Sequence, residues 1–500
     1  MRCPADTAGP QRGPPVRQLT PLDVQFLGLE NARNHGHVAG LAVYDPSTAP
    51  GGMTLETVQA HVARRLGLVP PFRWRLVQVP LGLGLPYWAD DPDFDLEYHV
   101  RELALPAPGD DAQLAQQVAR LHARPLDRAH PLWELYVISG LTGGRVALFT
   151  KVHHAAVDGM SGAEILTALL DLSPEGRELD QPPVGPAGAL PGTLSMLRRG
   201  VMGVPRYPLR VLRVLPRTLA HLDGNPVART IPGTGLVAGA ARTVLRTGAG
   251  DGGVLEMPSA KAERTVFNAV LTPHRRVAFA SLSLAEVKEV KNAFGVTVND
   301  VVVTLCAAAL REVMQEQGTL PERDLVAMVP LSVRTPEQAG TYGNRISAMV
   351  VPVPTSLADP VARLQRAHEV LDSAKQRHRA MPADVMVDTA ALLPSALVGR
   401  ASRLVTRLVT QLPLEPVFNI IVSNVPGPPF PLWFDGARLV AHYPISAIND
   451  LAGLNITVLS YLDGLDVGVV ADRAQLPDVW PVVEAMQSAL ADLLAAARAR

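Results

Sequence analysis

The spacing of apolar residues along the chain predicts alternating strands and helices. Residues 37–44 and 145–152 are β-prone and predict strands, whereas apolar positions three and four residues apart predict helices over 55–66 and 112–123. A further helix is expected at 161–170, directly after the second of these strands. Strands that alternate with helices in this order indicate an α/β fold.

The second half of the chain repeats this alternation and then becomes rich in strands. A strand at 276–280 leads to a helix that ends at Gly295. Residues 454–461 and 465–470 predict a hairpin whose turn is Asp463-Gly464. The remaining pattern predicts strands at 326–333, 348–353, 418–425 and 438–443, and helices at 301–314, 357–377 and 476–497.

Two stretches rich in Pro and Gly, residues 173–192 and 233–253, interrupt this pattern and predict linkers. Chains are commonly divided into domains at such stretches. We therefore expect four parts: a disordered tail over 1–18, an N-terminal lobe over 19–175, a linker or crossover over 176–265, and a C-terminal lobe over 266–500.

The predicted elements are arranged around the stretch Lys151 to Gly159. His153 and His154 lie where the predicted strand ends, and neighbouring residues on an extended chain point in opposite directions. One imidazole can therefore face a cleft while the other supports the scaffold. An imidazole with a pKa of about 6.5 can take a proton from an alcohol and return one to a leaving group. Asp158 can brace the loop, and Gly159 permits a positive φ.

Other chemistry at these histidines is less well supported by the sequence. His154 and Asp158 have the i,i+4 spacing of metal ligands, but the chain has neither a His-Glu-x-x-His motif nor a Cys-x-x-Cys pair. A serine hydrolase would need a Gly-x-Ser-x-Gly elbow around its nucleophile, which is also absent. We therefore predict no metal site and no serine triad.

The composition narrows the class of protein further. The net charge of −1 gives no electrostatic footprint for nucleic acid. Charged residues make up 19% of the chain, below the usual quarter, which suits an apolar tunnel. Cys3 and Cys306 are the two cysteines, so we expect no disulfide framework and a reducing cytoplasm. The first 18 residues lack the apolar core of a secretory signal, and apolar runs such as 301–310 are too short to cross a bilayer.

Two segments combine arginines with apolar residues and lack acidic side chains. They cover residues 194–222 and 390–412. Segments of this kind can lie on an anionic membrane surface. The alternative is that both segments pack on the protein with their arginines in solvent, and prolines at 205, 208 and 216 break any long helix in the first.

The pattern His-His-x-x-x-Asp-Gly at 153–159 resembles the signature of the CoA-dependent acyltransferase superfamily, which includes chloramphenicol acetyltransferase and the condensation domains of peptide synthetases. Additional matches make the chain similar to the bacterial wax ester synthase/diacylglycerol acyltransferase family from about residue 19 to the end. These matches are His-Val-x-x-Leu at 37–41, Pro-Leu-Trp-Glu at 131–134, Asn299-Asp300, Gly-Asn-Arg at 343–345, and Asn-Val-Pro-Gly-Pro at 424–428.

This resemblance implies a fold and roles for the motif residues. The fold would consist of two chloramphenicol-acetyltransferase-like lobes, with mixed sheets and flanking helices, and the active site would lie between the lobes. His154 would be the general base, Asp158 a structural brace, and His153 a support for the loop. We expect Trp133, in the Pro-Leu-Trp-Glu stretch, to be scaffold.

The resemblance also implies a second set of residues near the base. Asn299 would position substrate or polarise the thioester carbonyl, with Gly159 beside it, although the Asn299-Asp300 pair could equally cap the helix expected at 301–314. Arg334 or Arg345 could pair with Asp158 or meet the phosphates of CoA, and the sequence does not decide between these roles. Asp300, Asn344 and the two arginines are therefore expected to support the site.

The implied reaction moves a long-chain acyl group from acyl-CoA to diacylglycerol or to a long-chain alcohol. Acyl-CoA is a substrate, and no cofactor is expected. The protein would be cytoplasmic, at the inner face of the membrane or on lipid droplets. Two alternatives remain: a condensation-type transferase that uses carrier-bound thioesters, and an inactive relative that coats lipid surfaces, against which the intact histidine motif argues.

Overall fold

The computed structural model describes residues 16–156, 162–177, 187–203, 262–332, 346–379 and 415–500. Most of both arginine-rich apolar segments and the Gly-rich stretch at 233–253 lie outside these ranges. Arg17–Gln18 was expected to belong to a disordered tail, but it forms a short strand paired with Tyr87–Trp88. The tail prediction therefore extends too far, because these backbone groups find partners in a sheet.

Helices and strands alternate as the apolar spacing predicts. The helices are α1 (Pro21–Leu29), α2 (Leu55–Arg65), α3 (Leu96–His99), α4 (Asp111–His122), α5 (Gly162–Leu169), α6 (Thr193–Gly203), α7 (Leu284–Phe294), α8 (Val298–Glu316), α9 (Pro360–Arg379) and α10 (Trp480–Arg498). The strands are β1 (Arg17–Gln18), β2 (His37–Asp45), β3 (Trp74–Val77), β4 (Tyr87–Asp90), β5 (Val100–Ala104), β6 (Trp133–Ser139), β7 (Val146–His153), β8 (Arg275–Ser283), β9 (Leu325–Ser332), β10 (Ile346–Val353), β11 (Ile420–Val425), β12 (Trp433–Phe434), β13 (Ala437–Ile445), β14 (Leu454–Tyr461) and β15 (Gly464–Asp472).

The sheet of the first lobe has six strands in the order β12-β13-β2-β7-β6-β5. β7 lies inside this sheet, paired antiparallel with β2 on one side and β6 on the other. Two of its strands, β12 and β13, come from the C-terminal part of the chain, and β13 pairs with β2. The C-terminal part of the chain therefore contributes two strands to the sheet of the first lobe. A single boundary within 176–265, as predicted, does not describe this contribution.

The sheet of the second lobe is mixed, in the order β10-β9-β11-β14-β15-β8. β11 runs parallel to both of its neighbours, and the other pairs are antiparallel. The predicted hairpin joins β14 to β15, but its turn residues are Leu462 and Asp463, one position earlier than expected, because Tyr461 pairs with Gly464. The predicted α/β class with mixed sheets in two lobes is confirmed.

The two lobes share a core in addition to their separate ones. Leu114 and Val118 of α4 pack with Phe149 of the first sheet and with Phe279 and Val470 of the second. In the second lobe α8 is buried along most of its length. Among the described residues no single helix is long and apolar enough to cross a membrane, and only α7 and α8 taken together, bent by 104° at their break, pass that test.

Candidate active site

The two histidines lie at the end of β7, and backbone hydrogen bonds fix both. The amide of His153 donates to the carbonyl of Leu132 over 2.9 Å, and the amide of His154 donates to the carbonyl of Gly36 over 2.8 Å. The strand is thus held from both neighbouring segments up to its last residue. A side chain at this junction has a defined origin although a loop follows it.

The imidazole of His153 points into the protein and has contacts at both ring nitrogens. Its Nδ1 accepts the amide hydrogen of Ala155 over 3.0 Å, so the ring proton of the neutral form is on Nε2. That Nε2 lies 3.1 Å from a carboxylate oxygen of Glu30. The side chain is 1% exposed. This arrangement suits a support for the loop and leaves His154 as the histidine that can meet a substrate.

Glu30 is held in place by several donors. It accepts from the amide of Gly36 over 2.8 Å and from Nη2 of Arg128 over 2.6 Å, in addition to its contact with His153. Burial alone would raise the pKa of Glu30, but His153, the Gly36 amide and Arg128 together lower it to about 2. A carboxylate that is ionised near pH 7 therefore lies 3.1 Å from Nε2 of His153.

Sequence reasoning did not identify this support. Glu30 follows the last residue of α1, and Gly36 and Arg128 belong to no motif that suggested chemistry. No periodicity or local spacing links them to His153. Pairing of β2 with β7 is the only signal that could have suggested proximity, because it brings the segment before His37 to the end of β7.

The imidazole of His154 is partly exposed and stacks on Phe26 of α1, with ring centroids 4.3 Å apart and an angle of 14° between the planes. Burial, with a smaller contribution from neighbouring His153, lowers the pKa of His154 to about 4. The ring is therefore neutral near pH 7, as a group that accepts a proton must be. The spacing of the motif did not indicate Phe26.

The Pro-Leu-Trp-Glu stretch supports the histidine strand from β6. Trp133 is buried, donates from Nε1 to the carbonyl of Phe72 over 2.7 Å, and stacks on Phe72 and His99. Glu134 pairs with the fully buried Lys151 over 2.9 Å. The stretch is scaffold, as expected, and its acidic residue neutralises a lysine two positions before His153.

The Asn299-Asp300 pair does not cap a helix at 301. α8 begins at Val298, and its cap is Thr297, whose hydroxyl accepts from the amide of Asp300 while the Asp300 carboxylate accepts from the amide of Thr297 over 2.8 Å. The expected helix start is therefore three residues too late, because this reciprocal pair satisfies the first amides earlier. Asp300 is buried and also contacts His368 of α9 over 2.8 Å, while Asn299 is partly buried.

The structure tests some of the remaining sequence predictions for the site and leaves others outside the described residues. Within the described ranges, no group of three His, Cys, Asp or Glu side chains is arranged to hold a metal ion. The following residues lie outside the described part of the chain, and their roles stay predictions: Asp158, Gly159, Arg334, Asn344 and Arg345.

Comparison with known protein families gives the same assignment as the motifs. A sequence model of the wax ester synthase/diacylglycerol acyltransferase catalytic domain matches residues 19–302, and a model of the family's C-terminal domain matches residues 342–494. The chain belongs to the wax ester synthase/diacylglycerol acyltransferase family. The resemblance that the motifs suggested is confirmed, and the protein is an acyltransferase.

Individual relatives cover nearly the whole chain. A putative diacylglycerol O-acyltransferase of Mycobacterium tuberculosis is 36% identical over 96% of this chain and 90% of its own. A probable diacylglycerol O-acyltransferase of the same organism is 34% identical over 95% of this chain and 98% of its own. The solved wax ester synthase/diacylglycerol acyltransferase of Marinobacter aquaeolei VT8 is 30% identical, covers 96% of this chain and 100% of its own, and has a TM-score of 0.68.

More distant structures share the fold alone. A trichothecene 15-O-acetyltransferase of Fusarium sporotrichioides is 11% identical, covers 96% of this chain and 95% of its own, and has a TM-score of 0.57. This likeness fits the two-lobed architecture implied by the histidine motif and says nothing about the substrate.

Proposed function

We propose that this enzyme transfers a long-chain acyl group from acyl-CoA to the hydroxyl of diacylglycerol or of a long-chain alcohol, with His154 as general base. The observation that carries the proposal is the contrast between the two adjacent imidazoles. His153 is fully buried, accepts a hydrogen bond at Nδ1 and has its Nε2 3.1 Å from Glu30, whereas His154 is partly exposed and neutral near pH 7. The names of the relatives supply the substrate classes.

In this mechanism the acceptor hydroxyl and the thioester carbonyl meet beside His154. The imidazole takes the hydroxyl proton as the oxygen attacks the carbonyl carbon, which gives a tetrahedral oxyanion. The C–S bond then breaks, and the protonated imidazole returns its proton to the sulfur of CoA. No covalent acyl-enzyme and no cofactor are needed, since one proton is taken and one returned.

Two further roles belong to the proposal. Asn299, with Gly159 beside the base, steadies the oxyanion or the thioester carbonyl, and a donor of this kind is worth about 3 kcal/mol. Asp158 braces the histidine loop, and Arg334 or Arg345 pairs with it or meets the CoA phosphates. The enzyme works in the cytoplasm, at the inner face of the membrane or on lipid droplets, where a diacylglycerol acceptor resides.

The proposal is tested by release of CoA thiol from palmitoyl-CoA, with diacylglycerol or hexadecanol as acceptor. His154→Ala should lower the acceptor-dependent rate by about 100- to 10,000-fold, because the base is lost. His274→Ala changes an exposed histidine that follows Pro273 in a loop, and serves as the matched control with an unchanged rate.

Other outcomes would redirect the assignment. A folded His154→Ala protein that keeps its rate would contradict the role of this imidazole. A wild-type protein that ignores free acyl-CoA but turns over acyl-pantetheine thioesters would be a condensation-type transferase. No turnover with either donor would favour an inactive relative that binds lipid surfaces.

A further inference from the structure

Two segments far apart in the sequence form one surface, which we call the leucine face: the turn Pro80–Gly82 with Leu83 and Gly84, and helix α6. Gly200 of α6 lies directly on the turn, because a Cβ at this position would come within 2.7 Å of Cγ1 of Val79 and 3.1 Å of Cβ of Leu83. The buried side chain of Met196 faces inward from the same helix. The helix is therefore seated against the turn.

The leucine face exposes large apolar side chains. Leu81 is 84% exposed and Leu194 is 80% exposed, and more than half of Val201 and Met202 is in solvent. Four of the seven exposed large hydrophobic side chains of the described residues belong to the turn and to α6, which pack against each other. Leu81 also has a φ of 60°, a left-handed conformation that a leucine adopts at a cost. A turn that holds an apolar side chain outward in this way is suited to enter an apolar medium.

The charges of the leucine face are of one sign. Arg198 and Arg199 are exposed on α6, and the guanidinium of Arg199 lies 5.7 Å from the ring centroid of Tyr87. No Asp or Glu occurs in α6 or between residues 76 and 89. Apolar side chains flanked by arginines complement a bilayer with anionic headgroups, whose acyl region accepts the leucines while its phosphates accept the guanidinium groups.

The leucine face is connected to the histidine site by a short structural path. The amide of Leu19 donates to the carbonyl of Pro86 over 3.0 Å, directly after the turn, and β1 pairs with β4. One residue after Leu19, Thr20 caps α1, the helix whose Phe26 stacks on His154. The turn of the leucine face is thus connected through the β1–β4 pair and helix α1 to the ring that stacks on His154.

We infer that the leucine face inserts into the surface of an anionic phospholipid bilayer, with Leu81 and Leu194 in the acyl region and Arg198 and Arg199 at the phosphates. The inference rests on the proposed function, in that the bilayer would supply the diacylglycerol acceptor. It adds the surface by which the enzyme meets that lipid. A bilayer is favoured over a protein partner because the acceptor itself dissolves in it and the surface has no acidic residue.

Flotation with phosphatidylcholine vesicles, with and without phosphatidylglycerol, tests the inference on the full chain. Wild type should float with the anionic vesicles, and Leu81→Asp/Leu194→Asp should bind them at least about tenfold more weakly. Arg198→Gln/Arg199→Gln should lose about fivefold per arginine on anionic vesicles alone, and added salt should remove that difference. Leu172→Asp changes a leucine that is 70% exposed outside the leucine face, and should bind as wild type does.

A second measurement separates membrane docking from chemistry. The aspartate variant should turn over a short soluble alcohol at the wild-type rate, but should lose at least about tenfold of its rate with diacylglycerol in vesicles. A wild type without turnover on any acceptor would contradict the proposed function while flotation still tests the surface. Equal flotation of the aspartate variant and wild type would overturn the inference. Wild type that ignores both vesicle types would overturn it in favour of a protein partner.

Discussion

The histidine junction of the first lobe and the start of α8 in the second are held in place by different kinds of contact. At α8, Thr297 and Asp300 are three residues apart and satisfy each other's backbone amides. At the histidine junction, the ring of His153 is fixed by Glu30, which lies in a different element and is oriented in turn by Gly36 and Arg128. The cap of α8 is thus local, although Asp300 also contacts His368 of α9. The support of His153 comes from residues that only the tertiary fold brings together.

Because of this difference, the two regions should affect different properties: the free energy of folding in one case and the position of the catalytic imidazole in the other. A local cap contributes to the free energy of folding whether or not the rest of the lobe is accurately packed. A ring held by a distant carboxylate transmits small displacements of that segment to the neighbouring imidazole, and a misplacement of about 1 Å can cost on the order of 100-fold in rate. We therefore expect changes at the histidine junction to affect turnover, and changes to the Thr297–Asp300 cap of α8 to affect stability.

Among changes that leave both histidines in place, the largest effect is expected for Gly36→Ala. An added Cβ would lie 2.8 Å from Nε2 of His153 and 3.3 Å from the carbonyl oxygen of Phe26, so the imidazole of His153 or the backbone at Gly36 must shift. We expect kcat to fall about 10- to 100-fold, because His154 shifts with its neighbour. The KM for acyl-CoA should stay within about twofold, and steady-state kinetics with both substrates measures the two separately.

The matched control for this substitution is Gly192→Ala, since a Cβ at Gly192 meets no atom within 4 Å. It should leave kcat unchanged. If Gly36→Ala kept the wild-type kcat in a folded protein, the contact between His153 and Glu30 would not govern the position of His154, and the distinction between the two regions would be lost.

The same distinction explains which features the sequence predicts. Apolar spacing predicts the strand that ends at His153, and the motif identifies both histidines, because these signals are carried by neighbouring residues. The sequence suggested that Asn299 and Asp300 cap a helix at 301, but the cap in the structure is Thr297. The signal for it is also local, because Thr297 and Asp300 have the three-residue spacing of a capping box.

The features that the sequence could not predict are those made by tertiary contacts. Nothing near Glu30 or Phe26 indicates that one would bind His153 and the other would stack on His154. Likewise, β13 has the pattern of an ordinary strand, and its addition to the first sheet follows from pairing with β2 rather than from its own residues. The alternation of apolar and polar residues predicts that a strand forms, but it does not specify the strand with which it pairs.

The second effect in size is expected for Asp300→Ala. This substitution removes half of the reciprocal cap of α8 and the contact with His368. The free energy of unfolding should fall by about 1–2 kcal/mol, as for other helix caps. Chemical denaturation measures it, and Thr297→Ser, which keeps a capping hydroxyl, is the control with little change. A fall in kcat larger than that of Gly36→Ala, at unchanged stability, would assign Asp300 itself to the chemistry and contradict the comparison.

The last prediction concerns acid pH, where two buried histidines also lower the stability of the folded protein. Burial holds the pKa of His37 and that of His122 well below the usual value of about 6.5. The unfolded chain therefore binds protons first as the pH falls, so these groups contribute stability that is complete above about pH 6.5 and declines below it. Near-ultraviolet circular dichroism should accompany every measurement at acid pH, to show that the protein is still folded.

The smallest effect is expected for mild acid on turnover itself. Because the pKa of His154 is lowered to about 4, almost all of its imidazole remains neutral at about pH 5.5, and kcat/KM should fall by only about 3% from its value near pH 7.5. A base with the ordinary pKa of about 6.5 would be mostly protonated at that pH, and kcat/KM would fall about tenfold. A tenfold fall in folded protein would mean that His154 is as well solvated as an exposed histidine. In that case the packing around His153 and Phe26 would not shield the reacting nitrogen of His154 from water.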